Sequence, residues 1–190
     1  MVFTPNLLVA FNCSISGSRN IAKLISELIP KINVPLVLDA DAITLYARKP
    51  FVLPNNCIMT PHLGELRSLL GDSSIKTISK DVLLKVNEFC KKNKVIVIVK
   101  GYPSFIVTGY CSTSIHLVGD VGMATAGCGD VLTGIVSSML AQGLGARESA
   151  NFAVFLHGIS GELAAKEIGS RSMMANDIID FLPKALRYLK

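Results

Sequence analysis

The sequence contains no tryptophan, and aromatic residues make up only 6% of its 190 residues. Charged residues are also few, at 17%, whereas half of the residues are hydrophobic. So few aromatic side chains give no indication of the stacking platforms on which single-stranded nucleic acids bind. Low charge with high apolar content favours elements that are buried on both faces, such as a parallel sheet covered by helices. The length suits one domain.

Patterns for secretion, membrane insertion and metal binding are missing as well. The apolar stretch Leu7–Phe11 has no basic residue ahead of it, which makes it a poor signal peptide. The uncharged segment Gly101–Gly119 is too rich in glycine, proline and hydroxyl side chains for a membrane span. The five cysteines include no CxxC pair. We therefore expect a cytoplasmic protein with reduced thiols that binds neither membranes nor nucleic acids.

The spacing of apolar residues predicts strands that alternate with helices and then give way to helices alone. The predicted strands are Asn6–Phe11, Pro35–Ala40, Cys57–Met59, Lys94–Lys100, Phe105–Thr108 and Ser114–Val118. The predicted helices are Arg19–Ile29, Ala42–Ala47, one that ends at Leu70, Asp81–Lys92, Asp130–Gln142, Ala146–Ile168 and Ala175–Tyr188. This order is typical of an α/β layered fold. The last two strands form a hairpin, which adds an antiparallel edge to a mostly parallel sheet.

The glycine-rich segment Gly122–Leu132 carries the strongest local signal. Gly127 and Gly129 flank the predicted start of a helix, where backbone N–H groups without a neighbouring Cβ can approach an anion closely. The helix N-terminus adds donors and a positive partial charge, which suits a transferring phosphoryl group. Asp130 in the first turn suits a base that accepts a hydroxyl proton. A glycine-rich turn in which Asp130 caps the helix fits the same spacing.

Other polar residues follow predicted strands. A histidine at position 62 can bind a substrate and Glu65 can organise Mg²⁺ through water, but Glu65 also suits a carboxylate that favours the helix dipole. Lys100 ends the most strand-like run, where ligands of open α/β sheets collect, although a solubilising lysine fits there too. Asp39 and Asp41 end another strand, and the alternative for both is a helix N-cap.

Several segments, in order, resemble the ribokinase-like NAD(P)H-hydrate dehydratases. The segment GMATAGCGDVLTG is close to this family's anion-hole motif and differs from it at Cys128, where threonine is usual. Five more segments resemble its strand ends and closing helices, namely PLVLDADAI, TPHLGE, KGYPSFIV, FLHGISGELAAKEIG and MMANDIIDFLP. The resemblance covers Val34 to Pro183.

The resemblance implies a ribokinase-like three-layer α/β/α fold over residues 1–190, as a single domain that lacks the family's usual N-terminal strands. It implies dehydration of the S-form of NADHX or NADPHX through a phosphorylated intermediate, with ADP or ATP as co-substrate, Mg²⁺ as cofactor and a homo-oligomeric assembly. Asp130 would be the catalytic base and a substrate ligand. The other implied roles are an anion hole at Gly127, Cys128 and Gly129, substrate binding by His62, nucleotide binding by Lys100, Gly101, Tyr102, Pro103, Ser104 and Gly129, and a water-mediated Mg²⁺ contact by Glu65.

A few residues depart from the family's pattern or are left out of the site. Asn12 and Ser14 stand where the family has glycines, and Asp120 stands where asparagine is common. His157 lies in a long apolar helix and is interpreted as a satisfied core residue. The Cys128 thiol is not expected to be a nucleophile, because the implied chemistry needs none. Two other functions stay open: a hydroxymethylpyrimidine- or thiazole-type kinase, and a non-catalytic nucleotide-binding subunit.

Overall fold

A six-stranded sheet forms the centre of the protein in the computed structural model, which describes residues 9–13 and 19–189. Its strands are β1 (Val9–Cys13), β2 (Leu36–Ala40), β3 (Cys57–Met59), β4 (Val95–Val99), β5 (Ser104–Val107) and β6 (Ser114–His116), and they lie in this order across the sheet. Strands β1 to β4 pair in parallel, whereas β4, β5 and β6 pair antiparallel. The predicted parallel sheet with an antiparallel edge hairpin is confirmed.

Helices cover both faces of this sheet. They are α1 (Arg19–Leu28), α2 (Asp41–Arg48), α3 (Leu63–Leu70), α4 (Lys80–Asn93), α5 (Cys128–Ala141), α6 (Ala146–Ile168) and α7 (Ala175–Leu186). Three short 3-10 helices are Ile29–Lys31, Val121–Met123 and Arg187–Leu189. Residues of α1 to α4 pack against one face and residues of α5 to α7 against the other, so the protein has three layers.

The core follows the two-residue period of the strands. In β2, Leu36 and Leu38 face the layer of α1 to α4, whereas Val37 faces the layer of α5 and α6. In β3 the same division separates Cys57 and Met59 from Ile58. All six of these side chains are fully buried. Two covered faces therefore explain the continuous apolar runs and the low charge of the sequence.

The N-terminal boundaries differ from the predicted ones. The first strand continues to Cys13 rather than ending at Phe11, and residues 6–8 of its predicted range lie outside the described residues. Part of the segment in which glycines are replaced, including Ser14, also lies outside them. Within residues 9–13 and 19–189, no helix is long and apolar enough to cross a membrane.

Candidate active site

Three loops meet where the parallel strands end. Thr60, directly after β3, donates its backbone N–H to Leu38 O of β2 over 3.1 Å. Lys100, directly after β4, donates its backbone N–H to Pro61 O over 2.9 Å. The carboxyl ends of β2, β3 and β4 are thereby tied into one edge, which is the edge where open α/β sheets bind ligands.

A buried ion pair holds the centre of this edge. Lys100 Nζ lies 2.7 Å from Asp39 Oδ1 and 3.8 Å from Glu65 Oε2. Thr133 Oγ1 of α5 donates to Asp39 Oδ2 over 2.9 Å. The side chains of Lys100 and Asp39 are only 19% and 2% exposed. A buried carboxylate needs such partners on both oxygens, so the interpretation of Lys100 as a solubilising surface residue is wrong.

The capping interpretation of Asp39 is wrong as well. Asp39 lies within β2, and the N-cap of α2 is Ala40, which makes no side-chain cap. Ala40 has φ 52° and ψ −128°, a conformation that disfavours any residue with a Cβ. Asp41 is the first residue of α2, so its carboxylate lies in the first turn, where negative charge is favourable. The backbone therefore turns sharply just after Asp39, while its carboxylate is held by Lys100 and Thr133.

The first turn of α5 lies directly against this ion pair. A Cβ added to Gly129 would lie 3.4 Å from Lys100 Nζ and 3.9 Å from Asp39 Oδ2. The absence of a side chain at position 129 therefore lets the helix start approach the Lys100 ammonium. The charge of Lys100 is balanced by Asp39, but its N–H donors and the partial positive charge of the helix N-terminus act at one place, where they favour an anion.

Gly127 shapes the start of α5. It is the N-cap residue with φ 91°, which a residue with a Cβ rarely adopts, and an added Cβ would lie 3.0 Å from Cβ of Ala175. The first full helical bond runs from Val131 N to Gly127 O over 3.0 Å. Amides before Val131 have no acceptor within the helix, although Cys128 N–H reaches Thr125 O at 3.4 Å. The turn thus presents backbone N–H groups without a helical acceptor at its open end.

A cavity of about 610 Å³ opens on one side of this turn. Of the residues expected to bind nucleotide, those that line the cavity are Lys100, Gly101, Tyr102, Ser104 and Gly129, and Pro103 does not. Cys128 lines it too. The opposite wall is formed by the segment around the 3-10 helix Val121–Met123 and by α6.

A second, apolar cavity of about 900 Å³ opens on the other side of the turn. Gly127 and Asp130 line it together with residues of α5, α6 and α7. Asp130 is the third residue of α5, and the N-cap is Gly127, so the interpretation of Asp130 as the helix cap is wrong. Asp130 and Gly129 therefore line different cavities on the two sides of the first turn of α5.

His62 and Glu65 together cap the start of α3. The sequence spacing predicted a role at the helix start for Glu65 but not for His62. His62 Nδ1 accepts from Glu65 N over 3.3 Å and from Gly64 N over 2.9 Å, and Glu65 Oε2 accepts from His62 N over 2.8 Å. The reciprocal bonds between His62 and Glu65 make a capping box for α3. Glu65 thus matches the alternative of a helix-start carboxylate. Neither residue lines the two cavities, but Glu65 borders Lys100, and the His62 side chain is 59% exposed at the same edge.

Asp120 and Cys128 each have a defined environment. Asp120 Oδ1 accepts from Gly122 N over 2.8 Å and so caps the 3-10 helix on the cavity wall, which is a role that asparagine also fills. Burial raises the pKa of the Cys128 thiol, and the nearby Asp130 charge acts in the same direction. A neutral thiol is a poor nucleophile, in line with the expected lack of a role for it in the chemistry.

His157 is largely buried and hydrogen-bonded, as its interpretation as a satisfied core residue predicted, but its position on the cavity wall was not predicted. Its ring lines the cavity of 610 Å³, and Nε2 lies 3.0 Å from Cys128 O. Burial lowers the pKa of His157 to about 4, and the Lys100 charge contributes in the same direction. A lone histidine on an apolar helix gave no signal of this contact, because Cys128 and His157 are 29 positions apart.

The donor set bears on Mg²⁺ as well. Among residues 9–13 and 19–189, no group of three or more His, Cys, Asp or Glu side chains is placed to hold a metal ion. Mg²⁺ commonly keeps several waters and binds through one or two carboxylates and substrate phosphates. Asp39 is occupied by Lys100 and Thr133. The residues present therefore fit a hydrated ion carried by a nucleotide, with Glu65 as the second carboxylate beside Lys100, after the occupied Asp39.

The fold is that of a ribokinase-like α/β/α protein. The ADP/ATP-dependent NAD(P)H-hydrate dehydratase of Bacillus subtilis superposes with a TM-score of 0.84 at 22% identity, over 96% of this chain and 65% of that one. The chain belongs to the NAD(P)H-hydrate dehydratase family, whose model matches residues 17–184.

Curated relatives agree with this assignment. The chain is 37% identical over 186 residues to the bifunctional NAD(P)H-hydrate repair enzyme Nnr of Moorella thermoacetica, and covers 35% of that enzyme. It is 33% identical over 173 residues to the ADP-dependent (S)-NAD(P)H-hydrate dehydratase of Xanthomonas campestris, and covers 58% of it. The alignments span 96% and 90% of this chain. The chain therefore spans only part of the length of the relatives it matches.

Proposed function

We propose that the chain dehydrates the S-form of NADHX or NADPHX with an adenine nucleotide as co-substrate. The observation that carries the proposal is the first turn of α5, which has Asp130 on one side and Gly129 with Lys100 on the other. A base and a phosphate-binding end on opposite sides of one turn suit the transfer of a phosphoryl group to a hydroxyl. The names of the relatives from Moorella and Xanthomonas supply the substrate class.

Asp130 is the proposed base. Its carboxylate takes the proton of the substrate hydroxyl, and the hydroxyl oxygen attacks the terminal phosphorus of the nucleotide. The bond between that phosphorus and the nucleotide's bridging oxygen breaks. The ring carbon then loses the phosphate as its leaving group, and loss of a proton from the neighbouring ring carbon restores the dihydronicotinamide double bond. Phosphorylation is needed because hydroxide is a much poorer leaving group than phosphate.

The anion hole is proposed at Gly127, Cys128 and Gly129, with the Lys100 ammonium beside it. Its donors are fixed by the helix before any ligand arrives, and fixed donors stabilise developing charge without reorganisation. Asp39 holds Lys100 through a bond of 2.7 Å, so the ammonium stays within the site. The Asp39 carboxylate in turn is fixed by Thr133 of α5.

The nucleotide is proposed to occupy the cavity of 610 Å³, against Lys100, Gly101, Tyr102, Ser104 and Gly129. Pro103 belongs to the same loop but does not line the cavity. Mg²⁺ neutralises phosphate charge when it is bound with the nucleotide, and Glu65 is the proposed acceptor for one of its waters.

His62 is proposed to contact the hydrated nicotinamide, because its side chain is exposed at the same sheet edge. We further infer that residues 1–190 form one domain, that the chain self-associates, and that it acts in the cytoplasm. Reduced thiols support the last point, since Cys57, Cys90, Cys111 and Cys128 are all free.

The test is turnover of purified NADHX with ATP or ADP and Mg²⁺, followed through the absorbance of the regenerated dihydronicotinamide. Asp130→Asn should lower turnover by about 10²- to 10⁴-fold, since an amide cannot accept the proton. The control is Asp81→Asn, which removes an exposed acidic residue from the first turn of α4 that lines neither cavity, and it should leave turnover unchanged. A stable phosphate ester as the product would indicate a small-molecule kinase instead. Nucleotide binding without either product would indicate a non-catalytic subunit.

A further inference from the structure

We propose that His157 is a positioning residue that aims the Gly129 N–H at the transferring phosphoryl group. The inference rests on the proposed function, because it assigns a role within the same anion hole. His157 lies in the middle of α6, which packs against α5, and its ring reaches the first turn of α5.

The contact fixes the state of the imidazole. Nε2 of His157 lies 3.0 Å from the backbone oxygen of Cys128. A carbonyl oxygen only accepts hydrogen bonds, so Nε2 must carry the proton and donate it. The ring also lines the nucleotide cavity. The donor on Nε2 is present in both the neutral and the protonated ring, so the contact does not depend on the charge of His157.

The Cys128 carbonyl and the Gly129 N–H belong to one planar trans peptide unit and point in opposite directions. A hydrogen bond that holds the oxygen therefore holds the N–H as well. Gly129 has no side chain to restrain this peptide plane, so the His157 contact adds to the restraint that the backbone of α5 supplies at its first turn. An accepted hydrogen bond also polarises the peptide and strengthens its N–H as a donor, by roughly 10–30% per bond.

The sequence beside His157 is built for this close approach. A Cβ on Gly158, the next residue of α6, would collide with the side chain and backbone of Val118. Gly161 is similarly closed off, by the Met123 side chain. These two glycines let the cavity wall around Val118 and Met123 lie directly on α6, beside the point where His157 contacts the Cys128 carbonyl.

Two variants separate a donor from a bulky side chain. His157→Leu fills space without a donor, whereas His157→Gln restores an N–H near the Nε2 position. We expect His157→Leu to lower kcat by about 10- to 100-fold, since small misplacement of a catalytic group has effects of this size. The KM for nucleotide should change by less than kcat, and His157→Gln should recover most of the lost kcat. The control is His116→Leu. It removes another histidine contact to α6, between His116 Nε2 and Asn151 Oδ1 at 3.0 Å, and neither residue lines the cavity. This variant should preserve turnover.

A second measurement does not need turnover. The amide nitrogen of Gly129 reports the hydrogen bond to the preceding carbonyl, so its NMR resonance should move to lower frequency in His157→Leu and return in His157→Gln. An unmoved Gly129 resonance in His157→Leu overturns the inference, whether or not the wild-type chain is active. An inactive wild-type chain overturns the proposed function by itself. Wild-type kcat in His157→Leu, or a His157→Gln variant as slow as His157→Leu, overturns the inference and leaves the proposed function standing.

Discussion

Protonation of His157 makes folding stability depend on pH, and the size of the effect follows from its environment. Burial lowers the pKa of His157 from 6.5 to about 4. In the unfolded chain the ring takes up a proton as the pH falls below 6.5, whereas in the folded protein it stays neutral until about 4. Protons bound by the unfolded state favour unfolding, so stability present above pH 6.5 is lost as the pH falls.

The magnitude is set by the difference between the two pKa values. A difference of 2.5 units corresponds to at most about 3 kcal/mol, of which about 2 kcal/mol is already lost at pH 5. The charged or titratable residues that line the cavity with His157 are Lys100, Tyr102, Asp120 and Cys128, and of these the Lys100 charge acts in the direction of the lowered pKa.

Urea unfolding of the wild type and of His157→Gln at pH 8, 6 and 5 isolates this contribution. Glutamine does not titrate, so the variant should lose about 2 kcal/mol less than the wild type between pH 8 and pH 5. Acidic groups elsewhere titrate equally in both proteins and cancel in the comparison. Parallel stability curves for the two proteins would refute the reasoning, because they would mean that His157 titrates alike in the folded and unfolded chains.

Three further predictions concern the backbone and the surface. Gly127→Val should lower the free energy of unfolding by more than about 1 kcal/mol, because valine does not fit a φ of 91°. Gly129→Val should mainly weaken ATP binding in calorimetric titration, since an added side chain would meet the end of the Lys100 side chain. Equal effects of both variants on stability and on ATP binding would contradict this division. Ala40→Gly should stabilise the protein by about 1 kcal/mol in urea unfolding, because φ 52° suits glycine, and a lowered midpoint would show that the strain is absent. The chain should self-associate in light scattering, because among the described strands β1 pairs only with β2 and leaves an edge to another chain; a monomer at micromolar concentration would speak against it.

The layered fold was predictable because its signals are local. Strand β3 and helix α6 have the predicted bounds, and β4 and α4 differ from prediction by one residue at each end. The predicted start of α5, Asp130, is two residues too late, because the helix begins at Cys128. Helix periodicity alone cannot reveal that a left-handed residue at Gly127 already opens the helix.

The polar contacts of the site were not predictable from spacing. Lys100 and Thr133 reach Asp39 from 61 and 94 positions away. No periodicity relates such positions, so the sequence cannot decide between the alternative roles of Lys100 and Asp39, whereas the paired strands bring both residues together. The capping box of α3 is local, but its N-cap residue is a histidine rather than the usual serine or threonine, so the usual sequence pattern does not predict this box.

The ion pair around Lys100 also links ligand binding to folding as a whole. The pair of Lys100 and Asp39 is completed by Glu65 and Thr133, and these four side chains come from the end of β4, β2, α3 and α5. The arrangement therefore exists only when all three layers have assembled. A nucleotide that needs Lys100 can bind the native chain but not a partly folded one. Binding of this kind raises stability by mass action, by about 2.7 kcal/mol at a ligand concentration one hundred times Kd. A rise in melting temperature therefore reports occupancy of the cavity without any turnover, and it ranks candidate nucleotides by affinity.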